Sequence, residues 1–347
     1  MSEELRSSPP EDVRATWWTG VTPGTTYWRC QVPARHLPGQ CLRLSKHDII
    51  ENDDETYTFP WQKGVAIWQF VGSITRGTVA ATMQHQGTPI LMEVDDNYLV
   101  HTSHYGVESA WAEFMATDGE DWNSIQAHRR YTTWFDGVIV STPWLAEQYR
   151  KFNPNVFICP NSVEPDDWPE PEKPDDGILR IGWAGSSSHR YDAPLVRRAL
   201  KWASEQDGVE VVILGDRFFK GFEYTHIPWT YTLEDYRKSL QVLDVGLCPL
   251  RDTPWSRGKS DVKALEYAMV DALPIVSPTE PYRPWWSRTM VAGGKKDWEA
   301  AVRWCVANRD EVKQRAAAAK QYVLAERTIK DSIHLWEEAL SCVTAST

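Results

Sequence analysis

The chain has 347 residues, a formal net charge of −11 and a hydrophobic fraction of 42%. This length exceeds the size of a usual single core and predicts two domains of ordinary dimensions. The acidic balance argues against a general polyanion-binding surface, although a local basic groove would leave nucleic acid open as a partner. No apolar stretch is long enough to span a bilayer and the start, MSEELRSSPPED, is unlike a signal peptide, so we expect a cytoplasmic protein without a transmembrane segment.

Cysteine and tryptophan give further indications. The six cysteines are scattered without a CxxC pair, and four lie in apolar segments, which favours reduced core thiols over disulfides or a metal site. Nineteen tryptophans are unusually many, and most should pack in the core. The adjacent pairs Trp17–Trp18 and Trp285–Trp286 lie near predicted loops, so they are the better candidates for stacking on sugar rings or bases.

The first half of the chain alternates short apolar runs with helical stretches. This alternation predicts a doubly wound parallel sheet, and we take residues 1–165 as one Rossmann-like domain. The predicted strands are Ala15–Thr19, Cys41–Leu44, Val65–Phe70, Ile90–Val94, Gly137–Ser141 and Val156–Cys159.

A stretch rich in proline and acidic residues, 166–177, follows and is predicted to be the interdomain linker. Residues 178–325 then repeat the plan of the first half as a second Rossmann-like domain. Its predicted strands are Leu179–Trp183, Val209–Leu214, Val245–Leu250 and Pro274–Val276. Its predicted helices are Pro194–Gln206, Leu233–Leu243 and Ser260–Val270, followed by three closing helices at 296–308, 309–323 and 328–342.

The stretch Asp244–Pro278 contains the clearest candidate site. Two short apolar runs at its ends predict buried parallel strands, with a helix between them. Ser260 is a good N-cap for that helix. Lys259, Lys263 and Glu266 fall at i, i+4 and i+7, which places two ammonium groups and one carboxylate along one edge.

These groups suit a nucleotide sugar. A helix start offers N–H groups and positive dipole to a diphosphate, lysines add charge, and a carboxylate can accept hydrogen bonds from both hydroxyls of a ribose. On geometry alone, an exposed helix with an i,i+3 Lys–Glu pair explains the same spacing. Both interpretations stay open at this point.

Several segments, in order, resemble one known family. KSDVKALEYAMVDALPIVSP (259–278) looks like the donor-binding signature of GT-B glycosyltransferases, especially glycosyltransferase family 4 and its relatives. LRIGWAGSSS (179–188) and VEVVILGD (209–216) resemble the first two strands of their C-terminal domain. YWRCQVPARHLPG (27–39) and ILMEVDDNY (90–98) resemble passages of their N-terminal domain. No single segment is specific, but their order and spacing extend over nearly the whole chain.

The resemblance implies an α/β protein of the GT-B fold, with two Rossmann-like doubly wound parallel-sheet domains facing a central cleft. The last helix, about 326–347, is expected to pack back on the first domain. The implied activity is that of an EC 2.4 glycosyltransferase, which moves a sugar from a nucleotide-diphosphate sugar to an acceptor hydroxyl with retention. UDP- and GDP-sugars are the first donor candidates. No cofactor is obligatory, Mg²⁺ is allowed but not required, and no metal ligand is assigned.

The donor contacts are implied residue by residue. They are Glu266, Lys263, Lys259, Ser260, Gly185, Ser186, Arg190, Gly215 and Arg257. Many family 4 members have a first glutamate eight positions before the second, and this chain has Gly258 there, so the contact to the transferred sugar is unassigned. The family's arginine in the glycine turn is Trp183 here, and His189 or Arg190 lies near its lysine.

The end of the fourth predicted strand and the loop after it supply candidates for the acceptor side. We assign Asp96 and His104 as catalytic residues, and Arg29, Asp95 and Trp18 as acceptor-side residues. The carboxylates of Glu93–Asp96 would also suit Mg²⁺ or Mn²⁺, but the resemblance favours an acceptor-side role. The HxxH spacing that ends at His104 has no evident third metal ligand.

The acceptor stays open among a hydroxymethylated DNA base, a protein side chain and a saccharide. The alternative to an active enzyme is a catalytically inactive relative that binds nucleotide sugars, because Gly258 lacks the first carboxylate. An epimerase on the same fold comes last, since the second half shows no group of acid/base carboxylates. The sequence does not indicate an oligomeric state.

Overall fold

In this computed structural model, the structure describes residues 12–20, 23–43, 49–53, 57–72, 74–100, 124–186 and 189–345. These residues form two compact units. Unit 1 takes the described residues up to 99, residues 124–160 and residues 329–345, and unit 2 takes residue 100 and residues 161–328. The boundaries expected from composition, with a linker at 166–177, stay a prediction.

Unit 1 is built on a parallel sheet of six strands, in the order β2-β1-β5-β6-β7-β8. These strands are β1 (Ala15–Thr19), β2 (Gly39–Arg43), β5 (Val65–Gln69), β6 (Ile90–Val94), β7 (Gly137–Val140) and β8 (Val156–Ile158). A separate antiparallel pair consists of β3 (Ile50–Glu51) and β4 (Tyr57–Thr58). The flanking helices are α1 (Pro23–Thr26), a π-helical turn (Tyr27–Gln31), α2 (Val32–His36), α3 (Ile74–His85), α4 (Ser124–Trp134) and α5 (Pro143–Tyr149).

Unit 2 has a second six-stranded parallel sheet, in the order β11-β10-β9-β12-β13-β14. Its strands are β9 (Leu179–Gly185), β10 (Val209–Gly215), β11 (Thr225–Ile227), β12 (Val245–Cys248), β13 (Leu273–Val276) and β14 (Met290–Val291). Its helices are α6 (Ala193–Ala203), α7 (Leu233–Leu240), α8 (Pro254–Arg257), α9 (Val262–Met269), α10 (Lys295–Ala307) and α11 (Arg309–Glu326). The last helix, α12 (Ile329–Thr344), belongs to unit 1.

Each unit buries its own apolar core, since both sheets carry helices on their faces. In unit 1, Trp336 and Leu340 of α12 pack with Trp17 and Ile67 of the sheet. In unit 2, the strands β9, β10, β12 and β13 pack with α6 and α10. Four of the six cysteines are buried, whereas Cys41 is half-buried and Cys342 is exposed. No helix of the described residues is both long and apolar enough to cross a membrane.

The strand predictions were accurate where the strands are buried. β1 and β6 have the predicted bounds, and the other strands predicted in both halves differ at their ends by one to two residues. The strands β11 and β14 and the pair β3–β4 were missed. They are short or exposed, so they have no continuous apolar run to reveal them.

The helix α9 begins at Val262, two residues after the start of the predicted range, and its N-cap is Asp261, not Ser260. The hydroxyl of Ser260 instead accepts a hydrogen bond from Asn161 Nδ2 at 2.7 Å. At the other end, Asp271 adopts a left-handed conformation with φ +53°, and the Ala272 amide donates to the carbonyl three residues before the cap. This Schellman motif ends α9 and turns the chain into β13.

The start of α9 is anchored by a buried carboxylate. Asp261 accepts two hydrogen bonds from the Arg327 guanidinium, at 2.6 and 2.9 Å, and a third from Trp285 Nε1 at 2.8 Å. Arg327 also donates to the Asn161 carbonyl at 3.3 Å. The carboxylate holds the pKa of Arg327 above its ordinary value against the opposing effect of burial.

A lysine within the proline-rich stretch before β9 binds two backbone carbonyls of unit 2. Lys173 Nζ donates to the carbonyls of Leu243 and Asp271, which follow α7 and α9 respectively. Burial lowers the pKa of this ammonium group, and the Asp244 carboxylate 3.5 Å away opposes that shift. The carbonyls after helix C-termini carry partial negative charge, which suits a cation.

The Asp261–Arg327 pair should dominate the stability of unit 2. We expect Asp261→Asn to lower the free energy of unfolding by about 3 kcal/mol, because it leaves a buried guanidinium without its counter-charge. The matched control is Asp252→Asn, which removes an exposed bidentate pair with Arg257 and should cost less than about 1 kcal/mol. Urea unfolding of both variants measures the difference, and equal small effects would contradict the anchoring role.

Candidate functional site

The carboxyl ends of the unit 2 strands meet α9 at one point. β9 and β12 are neighbours, and the chain order runs outward from them on both sides. In parallel sheets of this kind, ligands bind beyond the carboxyl ends at such a switch point. Lys263 of α9 reaches this point, where its Nζ donates to the carbonyl of Ala184 near the end of β9. The candidate site therefore begins with α9 and the end of β9.

Two glycines predicted to contact the donor end the neighbouring strands β9 and β10, where the backbones approach closely. Gly185 and Gly215 are register partners at the ends of β9 and β10, and the Asp216 amide donates to the Gly185 carbonyl at 3.0 Å. Gly215 has φ +90°, and a Cβ on it would lie 2.6 Å from the Gly185 oxygen and from the Trp229 ring. Only glycine fits this backbone and this spacing.

Lys263 is held between a ring and the backbone. Its Nζ lies 5.8 Å from the ring centroid of Trp183, the residue that replaces the family's arginine. The Tyr267 hydroxyl accepts from the Ala184 amide at 2.9 Å, so both backbone groups of Ala184 bond to α9. Burial lowers the pKa of Lys263, while the Glu266 carboxylate acts in the opposite direction. The ammonium group is thus fixed in place with few water neighbours.

Glu266 is linked to an aromatic pair. Its Oε2 accepts a hydrogen bond from the Tyr236 hydroxyl at 2.9 Å, and the Tyr236 ring lies 5.9 Å from the Trp229 ring. Trp229 Nε1 donates to Asp216 Oδ1 at 3.2 Å, and the indole is 44% exposed. A half-exposed indole of fixed orientation can stack on a planar ring such as a nucleobase.

The glycine turn is followed by a histidine paired with an acid. His189 Nδ1 lies 2.9 Å from Asp192 Oδ2, and Asp192 Oδ1 accepts the Arg251 amide at 2.8 Å. Burial, followed by the charge of Lys263, lowers the pKa of His189 to about 4 against the opposing effect of Asp192. At neutral pH this imidazole is therefore uncharged.

Two other predicted cations differ in their surroundings. Lys259 Nζ lies 5.3 Å from the ring centroid of Trp255. Arg257 forms two hydrogen bonds with Asp252, at 2.7 and 2.9 Å, and both side chains are about half exposed. The charge of Arg257 is thus compensated at the surface, whereas Lys259 lies over an aromatic ring.

The remaining donor candidates are a serine of the glycine turn, an arginine after it and the serine before α9. The Ser186 carbonyl accepts the His189 amide at 2.9 Å, which shapes the turn. Arg190 is exposed. Ser260, as described above, is bonded to Asn161. Their contacts with a donor stay predictions.

Unit 1 contains a buried ion pair at the carboxyl end of β6. The π-helical turn carries Arg29, whose Nε donates to Glu93 Oε1 at 2.6 Å and whose Nη1 donates to the Cys159 carbonyl at 2.6 Å. The guanidinium also lies 5.1 Å from the Trp336 ring. Burial raises the pKa of Glu93 to about 7, and the charge of Arg29 opposes this. Short π-helical segments are often found at functional sites.

The carboxylates predicted to lie on the acceptor side, Asp95 and Asp96, come directly after β6 in the chain. Asp95 Oδ1 accepts the Tyr98 hydroxyl at 2.9 Å, and the Asp95 carbonyl accepts the Ser141 hydroxyl at 3.3 Å. Asp95 and Asp96 are both half-buried. Over the described ranges, no three His, Cys, Asp or Glu side chains lie together so that they could hold a metal ion.

One predicted acceptor-side residue of the first half, Trp18, lies in the core of unit 1. Trp18 lies in β1, fully buried, stacked on Trp68 at 5.5 Å and bonded through Nε1 to Gln62 at 2.7 Å. Trp17 also lies in β1, which ends at Thr19, and both indoles are buried in the core of unit 1. His104 lies outside the described residues.

Sequence reasoning missed three residues that the structure brings to the unit 2 edge. They are Asp192, Trp229 and Tyr236. The H-x-x-D spacing of His189 and Asp192 was a visible signal. The two aromatic residues lay in stretches read only for secondary structure, and their partners are distant in sequence.

The two parallel-sheet units have the architecture of GT-B glycosyltransferases, which confirms the predicted fold class. No model of a known protein family matches the sequence. No curated protein matches it either. The similarity to known proteins is therefore one of fold, found by comparing this structure with solved structures.

Solved structures of glycosyltransferases resemble this one over most of its length. A sucrose-phosphate synthase from Thermosynechococcus elongatus is 11% identical with a TM-score of 0.64, covering 96% of this chain and 100% of its own. A trehalose-6-phosphate protein from E. coli, bound with UDP-2-fluoro glucose, is 11% identical with a TM-score of 0.59, covering 95% and 98%. A UDP-forming α,α-trehalose-phosphate synthase from Burkholderia xenovorans is 12% identical with a TM-score of 0.56, covering 81% and 74%. At these identities the likeness establishes the fold.

The ionisation of Glu93 predicts a pH dependence of stability. Its folded pKa of about 7 lies above the ordinary value of 4.5, so the folded state retains a proton that the unfolded state releases. Stability should therefore fall as the pH rises from about 4.5 to about 7, by an amount on the order of 3 kcal/mol. Glu93→Gln, which cannot ionise, should lose this decline.

Thermal unfolding midpoints at about pH 5 and about pH 8 measure this effect. Glu337→Gln, on the exposed face of α12, is the matched control and should follow the wild type. Parallel curves for the wild type and Glu93→Gln would contradict the assignment.

Proposed function

We propose that this protein is a retaining glycosyltransferase that transfers a sugar from a UDP- or GDP-sugar to an acceptor hydroxyl. In this reaction the bond between the anomeric carbon and the phosphate oxygen breaks. A new bond forms from that carbon to the acceptor oxygen, and the nucleoside diphosphate leaves and takes up the proton that the acceptor hydroxyl releases. No metal is required by the proposal, because the lysines and backbone N–H groups of unit 2 can balance the leaving charge.

The observation that carries the proposal is the joint position of Lys263 and Glu266. One α9 face brings an ammonium group to the end of β9 and a carboxylate to the Tyr236 hydroxyl. A diphosphate near Lys263 would leave the ribose near Glu266 and the base near the half-exposed indole of Trp229. The diphosphate, the ribose and the base of one nucleotide sugar would thus each contact a side chain of suitable chemistry.

The acceptor in this proposal is a hydroxymethylated DNA base, a protein side chain or a saccharide. Asp96 and His104 stay the proposed catalytic residues, and Arg29, Asp95 and Trp18 the proposed acceptor-side residues. Arg29 and Trp18 are buried, so they support neighbouring groups in this proposal rather than touch the acceptor. The cytoplasmic location expected from the sequence also stays a prediction.

A second candidate is a relative that binds nucleotide sugars without transferring them. The observation that favours it is Gly258, which is buried at the end of α8 and has no carboxylate for the transferred sugar. The two candidates share the donor site and differ only in turnover.

A panel of UDP-, GDP-, ADP- and dTDP-glucose, with and without Mg²⁺, tests the proposal. Thermal shift measures binding, and mass spectrometry measures release of free sugar. Stabilisation by one nucleotide sugar together with sugar release supports the transferase. Stabilisation without release supports the inactive relative, and no stabilisation by any of the four contradicts both.

The role of Glu266 gives a direct prediction. Glu266→Gln should weaken nucleotide-sugar binding by about 1.5–3 kcal/mol, or about 10- to 150-fold, because an amide is a poorer acceptor for two ribose hydroxyls than a carboxylate. Isothermal titration calorimetry measures the change. Glu234→Gln is the control, since Glu234 is an exposed glutamate of α7 paired with Lys238. Unchanged affinity in Glu266→Gln would remove the ribose assignment.

A further inference from the structure

The His189–Asp192 pair has a defined orientation. Asp192 is 5% exposed and accepts hydrogen bonds at both oxygens, from His189 Nδ1 and from the Arg251 amide. An ionised carboxylate can only accept, so Nδ1 carries the hydrogen and Nε2 of the neutral ring carries the lone pair. The ring is therefore held in one tautomer by a residue that is itself fixed.

The other ring nitrogen has no such partner. Among the described residues, His189 Nε2 makes no hydrogen bond. His128 of unit 1 shows how a purely structural histidine is satisfied: it is fully buried, with Nδ1 2.8 Å from the Val71 carbonyl and Nε2 2.8 Å from the Tyr149 hydroxyl. His189 instead keeps some exposure, with 14% of its side chain accessible.

The charged groups around His189 decide its protonation. Lys263 of α9 and Lys259, which precedes that helix, both act against a positive ring, and Asp192 at the start of α6 acts in its favour. Burial has the largest effect on the pKa and the two lysines add to it, so the ring is neutral at neutral pH. A bound dianion would reverse this balance, because it neutralises the field of the lysines and offers an acceptor to Nε2–H.

We propose that His189 becomes protonated when a donor diphosphate binds, so that the protein takes up one proton with each nucleotide sugar and binds it more tightly at lower pH. This inference rests on the proposed function and concerns the regulation of the same site. A lysine at this position would hold the diphosphate at any pH, whereas this histidine makes donor capture depend on the proton concentration.

Calorimetry of UDP-glucose, ADP-glucose and GDP-glucose from about pH 5.5 to about pH 8 tests the proposal. Each phosphate of a nucleotide sugar carries one ester and one anhydride bond, so the ligand lacks the second ionisation near pH 6 of a phosphate monoester. We expect about tenfold tighter binding at the lower pH, with a slope no steeper than one proton. Titrations in buffers of different ionisation enthalpy should show the same proton uptake directly.

Two substitutions separate charge from structure. His189→Lys should bind as tightly at about pH 8 as the wild type does at low pH, without the pH slope or proton uptake. His189→Gln should bind weakly over the whole range. His334→Gln on α12, an exposed histidine, is the control and should keep the wild-type slope.

Each outcome is decisive. A flat wild-type profile, or a wild-type slope that survives in His189→Gln, overturns the role of His189 while the donor site stands. If none of the three nucleotide sugars binds at any pH, both this inference and the proposed function fail. If His189→Gln does not fold, His189→Lys still tests the assignment, because a pH slope that persists in it would overturn the role of His189.

Discussion

The arrangement of the unit 2 site depends on the buried ion pair between Asp261 and Arg327. The N-cap carboxylate of α9 makes no side-chain capping bond to its own helix, and is used instead to bind Arg327 and Trp285. Because α9 is a short helix, the position of its first turn fixes the position of every side chain on it. The lysine and glutamate assigned to the donor are thus positioned by a contact on the other side of the helix start.

The site combines few full charges with many aromatic groups. Lys263 lies over Trp183, Lys259 lies over Trp255, and the imidazole of His189 beside them is neutral. A site of this kind holds two cations close together without strong repulsion, because rings and carbonyls share the task of balancing them. The two lysines can bind an anion, and the neutral histidine keeps the positive charge of the site low.

The sequence predicted those elements whose evidence is local. Buried parallel strands such as β6 appear as continuous apolar runs, and α9 appears as a periodic helix between two of them. The partners of Glu266 and Asp192 could not be read in this way, since Tyr236 and Arg251 are brought to them by the fold from distant positions. Ser260 failed as a cap for a related reason: a long-range bond from Asn161 occupies its hydroxyl.

The lysine in the proline-rich stretch of unit 2 has a consequence for conformational entropy. Prolines such as Pro171 and Pro174 restrict the unfolded chain, so the stretch loses less freedom on folding than a glycine-rich one would. Lys173 then fixes the middle of the stretch on the carbonyls after α7 and α9, while Lys320 bonds to Glu170 and Arg309 to the Gly177 carbonyl. Order in this segment is therefore obtained largely through a stiff unfolded state and a few side-chain anchors, with no strand or helix between residues 168 and 178.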